Sequence, residues 1–362
     1  MLFQRRIYPT SNITPVTRME EVFKPILFLF LLCGIDLNNP SRNRCPVITF
    51  SIFFHVMCLG IVIFKIVCLS FKFDWSILVT ICVKLPSLIL WWFIRSRKED
   101  ILKMMKNLEL LEKELDDRNY EKLLRATKIA AVFTVLWFFL QPLVLSLRYF
   151  VNPDGGLTCV VLKFTSYLNF EGVLSILLHE FASIYVNSSI TITIALFYSF
   201  YCYLLSVCLK EKVRPLSQTF CIYEQVLQVF GDIEKVLSAL IFIAFGHFLV
   251  SLFKDMIVLI NIMKNNRGIM LISYVLDFIV NGVLTIVVVL SAEKAQSRAD
   301  GVRQLCCEEP NISKIFFSKL FEDRERLKLT GWGTFTIKKP LLLTLVAWLI
   351  SYGVIILQFS SV

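Results

Sequence analysis

The chain has 362 residues, 56% of them hydrophobic and 18% charged, with a mean hydropathy of +0.69; soluble domains carry about a quarter charged residues, so an ordinary soluble enzyme is excluded. A formal net charge of +10 would suggest nucleic acid in a soluble protein, but beside membrane spans it reports basic loops on the cytoplasmic side, and no nucleic-acid partner is expected. With three His and 13 Gly in all, the chain has little material for metal clusters or phosphate loops, and neither a metal nor a cofactor is expected.

The first apolar stretch, Val22 to Leu37, follows Arg5, Arg6 and Arg18, but the residues after it are Asn38-Asn39-Pro40 and a basic turn rather than a small-residue cleavage site. It reads as a short interfacial or re-entrant helix. Seven runs long enough to cross a bilayer follow, at about 46–71, 75–94, 129–150, 168–208, 236–262, 269–292 and 340–359. Between the second and third, Ile101, Met104, Met105, Leu108, Leu111 and Leu115 recur at helical spacing. Glu109 with Lys113, Glu114 with Arg118, and Glu121 with Arg125 form i,i+4 pairs, so one long charged helix or two are expected there. The fourth run, at about 1.5 Å per residue, is far longer than a hydrocarbon core of about 30 Å and should protrude from the membrane. Before the last run come an amphipathic stretch, Ile312 to Leu329, and a glycine-bracketed break, Thr330-Gly331-Trp332-Gly333.

Lys and Arg near span ends stay on the cytoplasmic side. Thirty of the 38 fall before the first span or in the loops after the second, fourth and sixth. The N-terminus is therefore expected inside and the C-terminus outside, the reverse of a G-protein-coupled receptor, and the last span has no Asn-Pro-x-x-Tyr. Of the 11 cysteines only Cys159 falls in an expected external loop, which argues against a disulfide framework; Cys306-Cys307 is a candidate for palmitoylation. His55, His179 and His247 lie on separate spans, outside any H-E-x-x-H frame, and no G-x-S-x-G, P-loop or zinc-type spacing occurs. The chain is not expected to be an enzyme.

In the last span Leu345, Trp348, Tyr352, Ile355 and Phe359 fall on one helical face, and Thr344, Ser351 and Gln358, seven apart, form a polar line beside it. Polar groups on an apolar span should face protein or water, as a helix contact or as part of a pore. Ser351-Tyr352, five hydrophobic residues from Gly353 to Leu357, then Gln358-Phe359 resemble the Thr-Tyr-x5-Gln-Phe signature of the insect gustatory receptors, which share a superfamily with insect odorant receptors. Upstream, Gly333-Thr334-Phe335-Thr336-Ile337-Lys338-Lys339-Pro340-Leu341-Leu342 is similar to the family's Gly-Phe-Phe-Thr-Leu-Asp-Arg-Ser-Leu-Leu. Gly333, Phe335 and Thr336 are the matching positions before the leucines.

The resemblance implies an all-α fold of seven transmembrane helices with cytoplasmic extensions. It divides the chain into a cytoplasmic segment with its short helix (1–45), helices one to six forming the ligand-binding domain (46–300), an anchor (301–335) and a pore-lining helix (336–362). It implies a homo- or heterotetrameric ligand-gated non-selective cation channel in the plasma membrane of a sensory dendrite, surrounded by membrane lipid and opened by a small-molecule tastant. Tyr352, Ile355 and Phe359 would line the pore, Ile355 and Phe359 as its hydrophobic gate, with Gln358 a polar ring near it. Lys338 stands where the family has Asp, reversing a charge at the mouth. Gly353 stands where sugar-tuned members carry Glu, which points to bitter or plant-derived ligands. Candidate pocket residues are the polar groups on the external halves of spans two to six: Lys84, Gln141, Glu171, His179, Glu180, Asp277 and Asn281, with Tyr167 and Tyr274. For each the competing reading is structural, an interhelical hydrogen bond or ion pair, with Lys84 and Glu180 as a mutual pair. An inverted seven-helix metabotropic receptor is the alternative, and a transporter the third reading.

Overall fold

The computed structural model describes residues 18–37, 45–71, 75–109, 116–151, 172–209, 216–264, 268–308 and 327–359. Among them are nine helices: α1 (Arg18–Leu32), α2 (Cys45–Phe71), α3 (Trp75–Ser96), α4 (Lys98–Glu109), α5 (Asp117–Val151), α6 (Gly172–Cys208), α7 (Leu216–Lys264), α8 (Gly268–Glu308) and α9 (Lys339–Phe359). Two short strands, β1 (Thr330–Gly331) and β2 (Phe335–Thr336), form an antiparallel hairpin just before α9. The seven apolar runs correspond to α2, α3, α5, α6, α7, α8 and α9.

Several helices outrun their apolar segments. α7, with 49 residues, is about 73 Å long and α8, with 41, about 61 Å, at about 1.5 Å per residue. α7 begins some twenty residues before the expected span because its first turns are amphipathic: Tyr223, Val226, Val229, Phe230 and Ile233 are buried at helical spacing while Glu224 and Gln225 between them are not. α8 continues past the expected end at residue 292 on a stripe of fully buried small side chains, Ala292, Ala295 and Ala299. Alanine favours helix and permits close packing, yet the charges around it hide the segment from a hydropathy window. The charged region after α3 forms two helices rather than one: α4 starts directly after a turn at Arg97, and α5 carries the second charged segment straight into the third span. Of the expected pairs, Glu121 and Arg125 meet at 3.5 Å; the other two involve residues outside those described.

α6 is the hub, packing against α1, α2, α3, α5, α7 and α8. Most of its residues from Ser188 to Cys208 are buried. Small hydroxyl residues let neighbours approach closely and bond locally: Ser87 Oγ and Thr191 Oγ1 are 3.3 Å apart, and Thr193 Oγ1 donates to the Ser189 carbonyl at 2.7 Å. Outward, α5 exposes Ile129, Val132, Phe133, Leu136, Phe139, Leu140 and Leu143, and α8 exposes Ile272, Ile279, Val283 and Ile286. An apolar exterior around a packed interior suits a hydrocarbon solvent. Four stretches of described residues are long and apolar enough to cross a bilayer, Asp117–Val144, Ser188–Cys208, Tyr223–Ile260 and Leu271–Gln304, and Thr49–Ile61 and Lys339–Ile355 are shorter apolar helices.

α1, at 15 residues or about 22 Å, is too short to span. It buries Met19, Val22, Phe23, Ile26, Leu29 and Phe30, with Phe23 and Phe30 each 5.6 Å from Phe197 of α6. Its last carbonyls, which a helix end leaves unpaired, accept from Tyr185 OH at Leu32 (2.5 Å) and from Trp91 Nε1 at Cys33 (2.9 Å). Gly34 ends the helix at φ 75°, where a Cβ would sit 2.5 Å from the Ser51 Cα; only glycine meets both the left-handed turn and that contact. Cys33, Cys202 and Cys208 are buried thiols that take part in no disulfide among the described residues. The amphipathic stretch from Ile312 lies outside the described residues except for its end, where Leu327 and Leu329 are buried. The side chains of Cys306 and Cys307 are also outside them.

Candidate functional site

α9 is attached to the rest of the chain along a single stripe. Leu341, Leu342 and Leu345 are half-buried against α7 and α8, and Gly353 alone among its described residues is buried. A Cβ on Gly353 would approach Met256 Sδ to 3.1 Å, so glycine here sets how closely α9 meets α7. Tyr352 rests edge-on against Phe253, ring centroids 5.4 Å apart. The remaining circumference is uncovered: Val346, Trp348, Ile350, Tyr352, Val354 and Ile355 are all exposed, Ile355 by 43%. Thr344, Ser351 and Gln358 lie on this open side. Leu345, grouped with Tyr352 and Ile355 by helical periodicity, falls instead at the edge of the packed stripe. The Phe359 side chain is outside those described.

The hairpin before α9 is clamped to the bundle. Its turn uses positive φ at Trp332 (49°) and Gly333 (69°), and the Phe335 ring covers Gly331, where a Cβ would come within 2.4 Å of it. Phe335 packs on Phe242 and Phe245 of α7, at centroid distances of 6.1 and 5.8 Å, while half-buried Thr336 pairs with Thr330. Buried Gln296 of α8 donates from Nε2 to the Ile337 carbonyl at 2.9 Å and accepts the Leu329 N–H on Oε1 at 3.2 Å. Glu234 of α7 accepts from the Thr330 N–H at 2.9 Å and from its hydroxyl. Lys339, the first residue of α9, meets Glu293 at 3.5 Å. Gln296→Leu should leave two buried backbone groups unpaired, costing about 2 kcal/mol; thermal unfolding of the detergent-solubilised protein measures this as a lowered Tm.

A second constellation lies within the bundle, about ten residues, or roughly 15 Å, from the last residue of α7 and the first of α8. Gln141 of α5 donates to Asp277 Oδ1 of α8 at 2.7 Å, and Asn281 Nδ2 is 3.5 Å from the same oxygen. Lys254 of α7 sits 3.1 Å from Asp255 and 3.8 Å from Asp277, with side-chain exposures of 24%, 0% and 18% respectively. Buried Gln141 Oε1 has no hydrogen-bond partner among the described residues. The structure thus brings together three of the predicted pocket residues, Gln141, Asp277 and Asn281. Lys84 is buried on α3 and Tyr274 is half-buried one turn before Asp277. Tyr167 and Glu171, and the side chains of His179 and Glu180, lie outside the described residues, and with them the Lys84–Glu180 pair.

Sequence reasoning missed Gln296 and Glu234, which look like ordinary polar residues of a charged helix. It also missed Asp255, although the Lys254-Asp255 dipeptide inside an apolar run is a signal, since intramembrane charges are costly unless paired.

No family model and no curated protein matches the sequence. Among solved structures, the chain is similar to the insect olfactory receptor OR5 from Machilis hrabei and to the same receptor in complex with eugenol. Each superposes with a TM-score of 0.57 at 12% identity, over 94% of this chain and 98% of that chain. Because that superposition spans nearly the whole of both proteins, this chain has the fold of an insect olfactory receptor.

Proposed function

We propose that this chain is a gustatory receptor subunit, four of which surround a central pore lined by α9 to form a ligand-gated non-selective cation channel. The observation that carries the reading is the open side of α9, where Thr344, Ser351 and Gln358 run beside Tyr352 and Ile355 on a helix otherwise built for an apolar environment. A polar line is unfavourable against lipid and favourable against water or other copies of the helix. Four copies around an axis place it in a water-filled path, with Ile355 and Phe359 closing that path by dewetting. The cytoplasmic ends of α6, α7 and α8, with residues 301–335, would join the subunits, and the distribution of basic loops supports an N-terminus inside. Ligand enters from outside toward Asp277, Gln141 and Asn281, where the vacant Gln141 acceptor favours molecules that donate hydrogen bonds. The ligand class is bitter or plant-derived small molecules rather than sugars, and the cell is a sensory neuron with the receptor in its dendritic plasma membrane.

Expression in cells with G-protein signalling blocked should still yield ligand-evoked cation current, and purified particles should be four-fold symmetric. Responses that vanish under the block would favour the metabotropic alternative, and monomeric particles would remove the pore. An N-terminal tag accessible in intact cells would overturn the orientation.

A further inference from the structure

A cavity of about 550 Å3 opens where α6 ends, α9 begins and α8 passes from apolar to charged sequence. Leu209, Leu290, Glu293, Lys294, Arg298 and Lys339 are among the residues that line it. Each of the three elements changes character here: α6 gives way to Lys210 just after Leu209, α8 turns charged just after Leu290, and α9 turns apolar just after Lys339. The cavity therefore lies at the level of a bilayer surface. Glu293 is already engaged by Lys339, so Lys294 and Arg298 carry charge in excess. Lys294 is held over the Tyr203 ring, 4.8 Å from its centroid, and Arg298 is half-buried.

One face of α8 leads into this cavity. Ile279, Val283, Ile286 and Leu290 are exposed at successive turns, and Lys294 and Gly301 continue the same line. An apolar strip ending in a basic recess matches an amphiphile with acyl chains and an anionic head. The strip faces hydrocarbon and runs up to the recess, which sets an amphiphile's acyl chains beside its head, whereas a soluble phosphate compound would use the recess alone. We propose that this cavity binds the phosphorylated headgroup of an anionic membrane lipid, whose acyl chains lie along α8. The site touches Lys339 at the root of α9, so its occupancy bears on the helix that forms the proposed pore. The assignment rests on the orientation proposed above, because the basic side must face the leaflet that carries anionic lipids.

The test uses the purified full-length chain in phosphatidylcholine nanodiscs, titrated with short-chain phosphatidylinositol bisphosphate and, separately, with free inositol trisphosphate. Binding is read by native mass spectrometry, independently of any current, so failure of the channel reading leaves this outcome intact and the converse also holds. The lipid should bind saturably and more tightly than the free headgroup. Lys294→Gln with Arg298→Gln should weaken it about thirty-fold, since each basic group near an anionic head contributes about a factor of five. Gly301→Leu tests the cavity without touching charge: nothing lies within 4 Å of a Cβ there, leucine favours helix over glycine, and its side chain should occupy the space and weaken binding comparably. Lys122→Gln, on an exposed position of α5, should bind as the native chain does. Native affinity in both the charge and the filling variants would overturn the proposal, as would equal affinity for the free headgroup.

Discussion

Ile355→Ala should produce a cation current in the absence of any ligand. Ile355 is exposed on the single chain, on the side of α9 that nothing else in the described chain covers, next to the polar line through Ser351 and Gln358. In a ring of four such helices its side chain narrows the path and keeps it dry. Truncation to alanine removes about 2 kcal/mol of apolar surface per subunit at about 0.8 kcal/mol per carbon. A shift of about 1.4 kcal/mol in the closed-to-open balance is already ten-fold in open fraction, so basal current should rise at least that much. Whole-cell recording with impermeant-cation substitution measures it. A helix that merely contacts lipid would give no leak, and native basal current in a well-expressed variant would remove Ile355 from the gate.

The second large effect is expected at Lys254. Its ammonium stands between Asp255 and Asp277, all three largely withdrawn from solvent. Lys254→Met should therefore leave two carboxylates facing one another without a counter-cation, destabilising the protein by about 3 kcal/mol. Asp277→Asn should be far milder, about 1 kcal/mol, because the asparagine carbonyl can still accept from Gln141 and Lys254 keeps Asp255. Combining the two should recover part of the loss, a non-additivity that identifies the groups as one network. Thermal unfolding of the four proteins in one detergent provides the cycle. Strict additivity would mean that the three charges are solvated independently.

How much was legible beforehand follows from the range of each interaction. The seven apolar helices were readable because a bilayer demands long uncharged runs, and α2, α3 and α6 lie close to their predicted limits. The ends of α7 and α8 were not. Tyr223, Phe230, Ala295 and Ala299 are buried by neighbouring helices far away in sequence, and a mean over a local window cannot register that. The pairing of Gln141 with Asp277, 136 positions apart, was anticipated only as two costly polar residues. Lys254, which meets Asp277, stands in the sequence as one of the eight basic residues outside the cytoplasmic segments.

The same division holds at the terminal helix. Periodicity alone placed Thr344, Ser351 and Gln358 in one line and Tyr352 with Ile355, since side-chain direction on a helix depends only on spacing. Which of those faces is free is a property of packing. Gly353 against Met256, with half-buried Leu341, Leu342 and Leu345, selects the stripe that docks, and Gln296 and Glu234 fix the hairpin from which α9 departs. Local chemistry thus settled membrane class, the positions of the seven apolar helices and the order of residues along each face. Contacts between distant segments decided how far the helices extend, which charges neutralise one another, and which side of the last helix stays open, because burial is a relation between elements rather than a property of any one of them.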